Sequence, residues 1–398
     1  MSRPLAVAFG LSAGPVVALG FARFAYGLVL PAMRDDLQWS FGTAGQLNTA
    51  NAVGYLAGAL IAAPLARRTG ESGAFLGGIA VTAVALLASA ATSELPALLL
   101  LRALSGGTGA VCFVVGGALT SRAGLGRSDR FATLLLGIYF AGSGLGMVIS
   151  GAVVPVVLAA WGWRAAWLVL GGLASAVLVV AVVAVRAARD GAPAPAGEGE
   201  KGPRRWPVRP VAALLLAYGL FGVGYIAYMT FVVAYLVQAG AGVGEVTAFW
   251  VVLGLAAVAG GFFWGAVLGG LRGGSGAALV LAVLAIGAGL PLVWHGAEAA
   301  FVSAVLFGLA FLNVMTAVSS AARRLLPPWQ WTSAIAGLTV GFALGQGIGP
   351  VVAGFVSDGP GGIGAGLGVG FGLLVFAGLA ALAQPREPAS IEKGRGER

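Results

Sequence analysis

Twelve apolar stretches, each long enough to cross a hydrocarbon core about 30 Å thick, dominate the 398-residue chain. They run approximately over residues 5–33, 43–66, 73–93, 96–121, 131–159, 165–187, 211–238, 246–270, 276–294, 297–322, 332–357 and 361–384. Charged residues make up 9% of the chain, whereas a soluble domain carries about 25%, so too few remain to cover a water-facing surface. The lipid bilayer is the solvent this composition fits. The first stretch is too long, and followed by too many others, to be a cleavable signal peptide. The long polar interruption, Ala188 to Pro210, is rich in Pro, Gly and charge and reads as a flexible linker. The expected architecture is an all-α integral membrane protein with two parallel six-helix repeats. A bundle over 1–187 is followed by a cytoplasmic linker over 188–210, a bundle over 211–384 and a cytoplasmic tail over 385–398.

The basic residues orient these helices. With both termini inside, 19 of the 23 Lys and Arg residues fall in inner loops, the linker or the tail. Arg34 and Arg164 fall outside, and Arg23 and Arg102 within helices. This distribution follows the positive-inside rule and predicts a multi-pass protein of a bacterial-type inner membrane. Short basic clusters between apolar runs are topology signals, so the net charge of +9 does not imply nucleic-acid binding. One cysteine, Cys112, excludes a disulfide framework, and one histidine, His295, makes a histidine metal site or a Ser/His triad hard to build. No enzyme, cofactor or metal is expected. The expected partners are lipid and a small-molecule solute, with a co-transported proton or counter-substrate as an option, and the protein is expected to be a monomer.

The halves repeat. Gly142, Gly144, Gly146, Ser150 and Gly151 are matched at a constant offset of 203 by Gly345, Gly347, Gly349, Ala353 and Gly354. Gly106 finds Gly308 at 202, and Gly20 finds Gly224 at 204. Two parallel six-helix repeats related about the membrane normal are a known transporter architecture.

Local patterns then resemble the major facilitator superfamily. Ala63 to Gly70 (APLARRTG) resembles its GxLADRxG loop, with Arg67 at the usual Asp position and Ala63 at the first Gly. Arg102-x-x-x-Gly106-x-x-Gly109 is similar to the family's RxxxGxxxG region, and Gly137-x8-Gly146-x3-Ser150-Gly151 is similar to the antiporter glycine pattern without its Gly-Pro pair. Trp163-Arg164 is another recurrent feature. Gly20 to Met33 (GFARFAYGLVLPAM), followed by Ala44 to Leu60, resembles the YbfB/YjiJ branch. The resemblance implies alternating access through a central cavity lined by the first helix. It implies gating or coupling roles for Arg67, Arg68, Arg102, Gly106 and Gly146.

All fourteen acidic residues lie at helix ends, in loops or in the tail, so the two intramembrane charges, Arg23 and Arg102, are both positive. An arginine at the bilayer centre costs about 2.5–3.5 kcal/mol on the mildest scale, so it must face a partner or a wet cavity. Arg23 is either an anion site, its forked donors matching a carboxylate, or a structural arginine capping carbonyls of broken backbone. Arg102, about two turns from its helix end, could snorkel outward. Tyr26 follows Arg23 by three residues and is expected to share its face. Asn48, Asn51 and Tyr55 lie on one helix face and serve either interhelical bonding or cavity lining. Tyr225 and Tyr228 stand where the first half has Phe21 and Phe24, and Ala227 replaces Arg23. Asn313 and Gln346 are lone mid-helix polar groups with the same two readings. The candidate substrate site is therefore Arg23, Tyr26, Asn48, Asn51, Tyr225, Tyr228, Asn313 and Gln346. Two functions compete: an organic-anion (carboxylate) carrier, and a proton-driven exporter of drugs or metabolites. The second lacks the mid-membrane carboxylate or histidine that protonation normally uses.

Overall fold

The computed structural model describes residues 3–189, 208–268, 271, 273–327 and 330–384. Most of the 188–210 linker and all of the 385–398 tail lie outside the described residues. Among the described residues the regular structure is helical, and eleven helices are long and apolar enough to cross a membrane. They are α1 (Arg3–Asp36), α2 (Phe41–Thr69), α3 (Glu71–Ser89), α4 (Leu95–Ala123), α5 (Asp129–Arg189) and α6 (Arg209–Gln238). After these come α7 (Val243–Leu268), α8 (Ser275–Val293), α9 (Ala297–Leu325), α10 (Trp331–Ser357) and α11 (Gly362–Leu382).

Two stretches expected as separate helices, 131–159 and 165–187, run together here as α5. A turn at Gly162 (φ 75°, ψ −176°) divides α5 into two helical arms without any intervening loop. Only glycine enters that left-handed region readily. Elsewhere the ends follow local chemistry. The Ser40 side chain accepts from the Thr43 amide at 3.1 Å and caps α2. Gly70 at φ 76° closes α2, whose last turn carries Arg67 and Arg68 against the negative end of the helix dipole.

Helix α1 is one span of three characters. Arg3–Leu11 is α-helical, Val16–Phe24 is a π-helix, and Tyr26–Asp36 is α-helical again. The Ala25 amide reaches back five residues to the Gly20 carbonyl, and the amides of Leu28 and Val29 both go to the Ala25 carbonyl. π-Turns inside helices cluster at functional sites.

Close helix pairs are built on glycine, which lets backbones approach in a membrane. A Cβ on Gly106 would meet the Asn51 carbonyl, and one on Gly58 would meet that of Gly107. In the second half a Cβ on Gly308 would meet the Leu253 carbonyl, and one on Gly260 that of Leu309. Both members of each contact are related by 202 residues, so the repeat seen in composition recurs as packing.

The two halves meet toward the end that carries Ser40. The Asp358 carboxylate takes the first amides of α2, Phe41 N at 2.7 Å and Gly42 N at 2.9 Å. Thr49 donates to the Gly347 carbonyl at 2.7 Å. A Cβ on Gly27 would meet the Met229 carbonyl, and one on Gly45 that of Pro350. Gly144 and Gly254 face each other's carbonyls across α5 and α7.

Candidate functional site

Arg23 closes the π-helical segment and is 2% exposed. Its Nε and Nη2 have no hydrogen-bond partner. Its guanidinium carbon lies 5.2 Å from the ring centre of Tyr55, which is itself partly exposed. Tyr225 and Arg102 are within electrostatic reach. Among the described residues Arg23 enters no ion pair. An aromatic run adjoins it: Tyr225 stacks on Phe221 at 4.8 Å, on Phe342 at 5.7 Å and on Phe311 at 6.3 Å. The ring of Phe24 meets Phe311 edge-on at 5.6 Å. Gln346 donates its amide to the Tyr225 hydroxyl, tying α10 to α6. A guanidinium with idle donors, next to aromatic faces and far from any acid, can accept a planar anion.

Arg102 does not snorkel. It is 1% exposed and its Nη1 donates to the Ala22 carbonyl of α1 at 2.5 Å. Its guanidinium lies 4.9 Å from the Tyr26 ring and 5.5 Å from Trp167. Those two rings are stacked at 6.4 Å, so the charge is held by a carbonyl and two π-faces, while its Nε and Nη2, like those of Arg23, have no hydrogen-bond partner. Trp167, from the second arm of α5, carried no signal in the sequence beyond being an aromatic.

Tyr26 departs from the expectation that it shares the surroundings of Arg23. Its hydroxyl donates to the Ala44 carbonyl at 2.7 Å, and its ring serves Arg102. The expectation assumed 3.6 residues per turn, and the wider π-turns end just before Tyr26.

Asn48 donates to the Thr230 hydroxyl at 2.6 Å, across the two halves. Asn51 donates to the Arg102 carbonyl and the Ser105 hydroxyl, each at 3.3 Å. Both Oδ1 atoms are buried without a partner. Tyr228 shares a 2.5 Å hydrogen bond with Ser303 and stacks on Phe307 at 4.1 Å. Asn313 follows a break in α9 at Leu312 and donates to the Leu309 carbonyl of its own helix at 3.1 Å. The structure thus gathers Arg23, Tyr225 and Gln346, with Tyr55, Phe24 and Phe311 added. Tyr26, Asn48, Asn51, Tyr228 and Asn313 are engaged with other protein groups.

Gly106 packs against α2, and Gly146 against Val16 and Gly20 of the π-segment. Arg67 and Arg68 are exposed. The neighbouring Glu71 pairs with Arg122 instead. A groove of about 440 Å³ opens between α6 and α10, lined by Ala212, Leu215, Gly219, Val223, Gly341 and Gly345 among others. It does not include Arg23, which is sealed in this conformation.

The sequence profile of the family described as "Uncharacterised MFS-type transporter YbfB" matches residues 15–382. The 4-hydroxybenzoate transporter PcaK of Pseudomonas putida is 30% identical over 165 residues, 41% of this chain and 36% of that protein. The chloramphenicol resistance protein of Streptomyces lividans is 32% identical over 164 residues, 39% of each. The chain thus matches less than two fifths of the length of these curated relatives. Among solved structures, a bacterial homologue of the human lysosomal transporter Spinster, inward-facing and occupied, superposes with a TM-score of 0.71 at 16% identity. That match covers 95% of this chain and 94% of the other. The nucleoside transporter NupG superposes with a TM-score of 0.67 at 13% identity, over 96% of this chain and 98% of its own. At such identities these two establish the fold.

Proposed function

Because the chain belongs to the family of the MFS-type transporter YbfB, a membrane transporter family, we propose that it carries a small organic anion, a carboxylate, by alternating access. The observation that carries this reading is Arg23: buried, with two unused donors and no acid beside it. A buried charge without a partner is costly, and a carboxylate arriving at Arg23 would supply one. Tyr225, Gln346, Tyr55 and Phe311 would flank that ligand. The similarity to a protein named as a 4-hydroxybenzoate transporter favours the same class.

The two arms of α5 are taken as separate crossings, which makes twelve. An unbroken helix of 61 residues would be about 92 Å long, far more than one bilayer core. The bundles are 1–187 and 211–384, with the 188–210 linker, the 385–398 tail and both termini on the cytoplasmic side of the inner membrane. In that orientation the Ser40 end is external and closed. Arg102, Gly106 and Gly146 transmit motion between helices, and Arg67 and Arg68 border the inner mouth. The alternative, a proton-driven exporter of drugs or metabolites, draws on the similarity to a chloramphenicol resistance protein.

Calorimetric titration of purified protein with 4-hydroxybenzoate, benzoate, aliphatic carboxylates and chloramphenicol decides between them. Removing one member of a buried charge pair costs about 3–5 kcal/mol. Arg23→Gln should therefore weaken carboxylate binding by about two to three orders of magnitude, with little change in apo melting temperature. Arg23→Lys should recover little, because a point charge lacks the planar fork. Unaltered carboxylate binding by Arg23→Gln would end the anion reading. Binding of chloramphenicol and of no carboxylate would favour the alternative, and chloramphenicol movement driven by a pH gradient in proteoliposomes would establish it.

A further inference from the structure

Between the Gly20 carbonyl, taken by the Ala25 amide, and the Ala25 carbonyl, taken by Val29, the chain has four carbonyls, Phe21 to Phe24. It has three amides to meet them, Tyr26 to Leu28, and that of Leu28 is also drawn to Ala25. A return from i+5 to i+4 spacing always leaves such a shortage, and inside a membrane an unmatched carbonyl needs another donor. Arg102 supplies one to Ala22 at 2.5 Å. The carbonyl it holds belongs to the peptide unit that joins Ala22 to Arg23, so the contact fixes the plane from which Arg23 projects. If the segment rewound to an α-helix, its residues would turn by about 100° per residue removed from the register. Arg23 would then leave Tyr55 and Tyr225.

We propose that Arg102 is a positioning residue for Arg23, holding the π-helical register of α1 through the Ala22 carbonyl so that the free Arg23 donors face the anion. The proposal rests on the anion reading of Arg23 for its purpose, but its register claim stands apart from it. Asn51 and Ser105, which both bond the Arg102 carbonyl, and the Tyr26–Trp167 pair keep the Arg102 side chain aimed at α1.

Two measurements test this. In hydrogen–deuterium exchange of the apo protein, Arg102→Met should raise exchange over residues 16–27 by about tenfold or more, with α3 unchanged. Arg102→Lys, which retains a donor, should stay closer to the wild type, and Arg102→Gln, too short to reach, serves if the Met variant does not fold. Exchange that is unchanged, or raised equally in all helices, would overturn the proposal.

The second is a double-mutant cycle read by 4-hydroxybenzoate affinity. Arg102→Met should cost about tenfold or more alone and less than about threefold in the Arg23→Gln background. Equal losses in both backgrounds would mean that Arg102 acts independently and would overturn the proposal. If Arg23→Gln alone leaves the affinity unchanged, the anion reading fails, and the exchange result still decides whether Arg102 holds the register.

Discussion

Arg23 and Arg102 show how far the cost of a buried charge carries an argument from sequence. Both were singled out because a guanidinium in a bilayer needs company, and each is found more than 97% buried. What their company would be was not legible. Arg102 is held by a carbonyl, and no sequence pattern marks a carbonyl. Its second aromatic neighbour, Trp167, lies 65 residues away in the chain. Tyr26 was misplaced for a definite reason: spacing arguments assume regular turns, and nothing in GFARFAY announces a π-segment. Its observed contacts predict that Tyr26→Phe keeps the ring against Arg102 and loses the bond to Ala44. Thermal unfolding should register about 1 kcal/mol of lost stability, while carboxylate affinity should stay within about twofold. An affinity loss as large as that of Arg23→Gln would return Tyr26 to the binding site.

Helix contacts were easier to anticipate than side-chain contacts, because close approach leaves a compositional trace. The glycines that recur at an offset near 203 are, apart from Gly347, used as spacers between helices. Gly106 and Gly308 meet Asn51 and Leu253, which are themselves 202 apart. Helix ends were also legible to within a few residues, since Ser40, Gly70 and the polar turns are local signals. The turn at Gly162 was not, because one glycine in left-handed conformation does what a loop was expected to do. Gly106→Val should force α2 and α4 apart: side-chain bulk would enter a space already filled by the Asn51 carbonyl. Overpacking of this kind costs about 1–3 kcal/mol, and detergent thermal-shift assays should show a clear loss. Gly77, with nothing within 4 Å of an added Cβ, is the matched control. Gly77→Ala should leave the melting temperature unchanged or raise it by the equivalent of about 0.4–1 kcal/mol.

At the scale of the whole molecule, the Asp358 carboxylate bridges the halves by holding two amides of α2. Hydrogen bonds to a charged group are worth about 1.5–3 kcal/mol, so Asp358→Ala should move the balance toward the opposite, open arrangement by about tenfold or more. Spin labels at Gln38 and Gly359, both near this seam, would report the change as a longer distance population. An unaltered distribution would show that the other contacts across the halves keep the seam shut without Asp358. Those contacts have a consequence of their own. Where Gly27 meets Met229 and Gly45 meets Pro350 main chain touches main chain, and beside those contacts the rings of Trp250, Phe41 and Phe231 are buried in the same seam. If the halves part as the proposed function requires, those rings would be wetted on one side, and part of the energy of docking a solute would go into uncovering them.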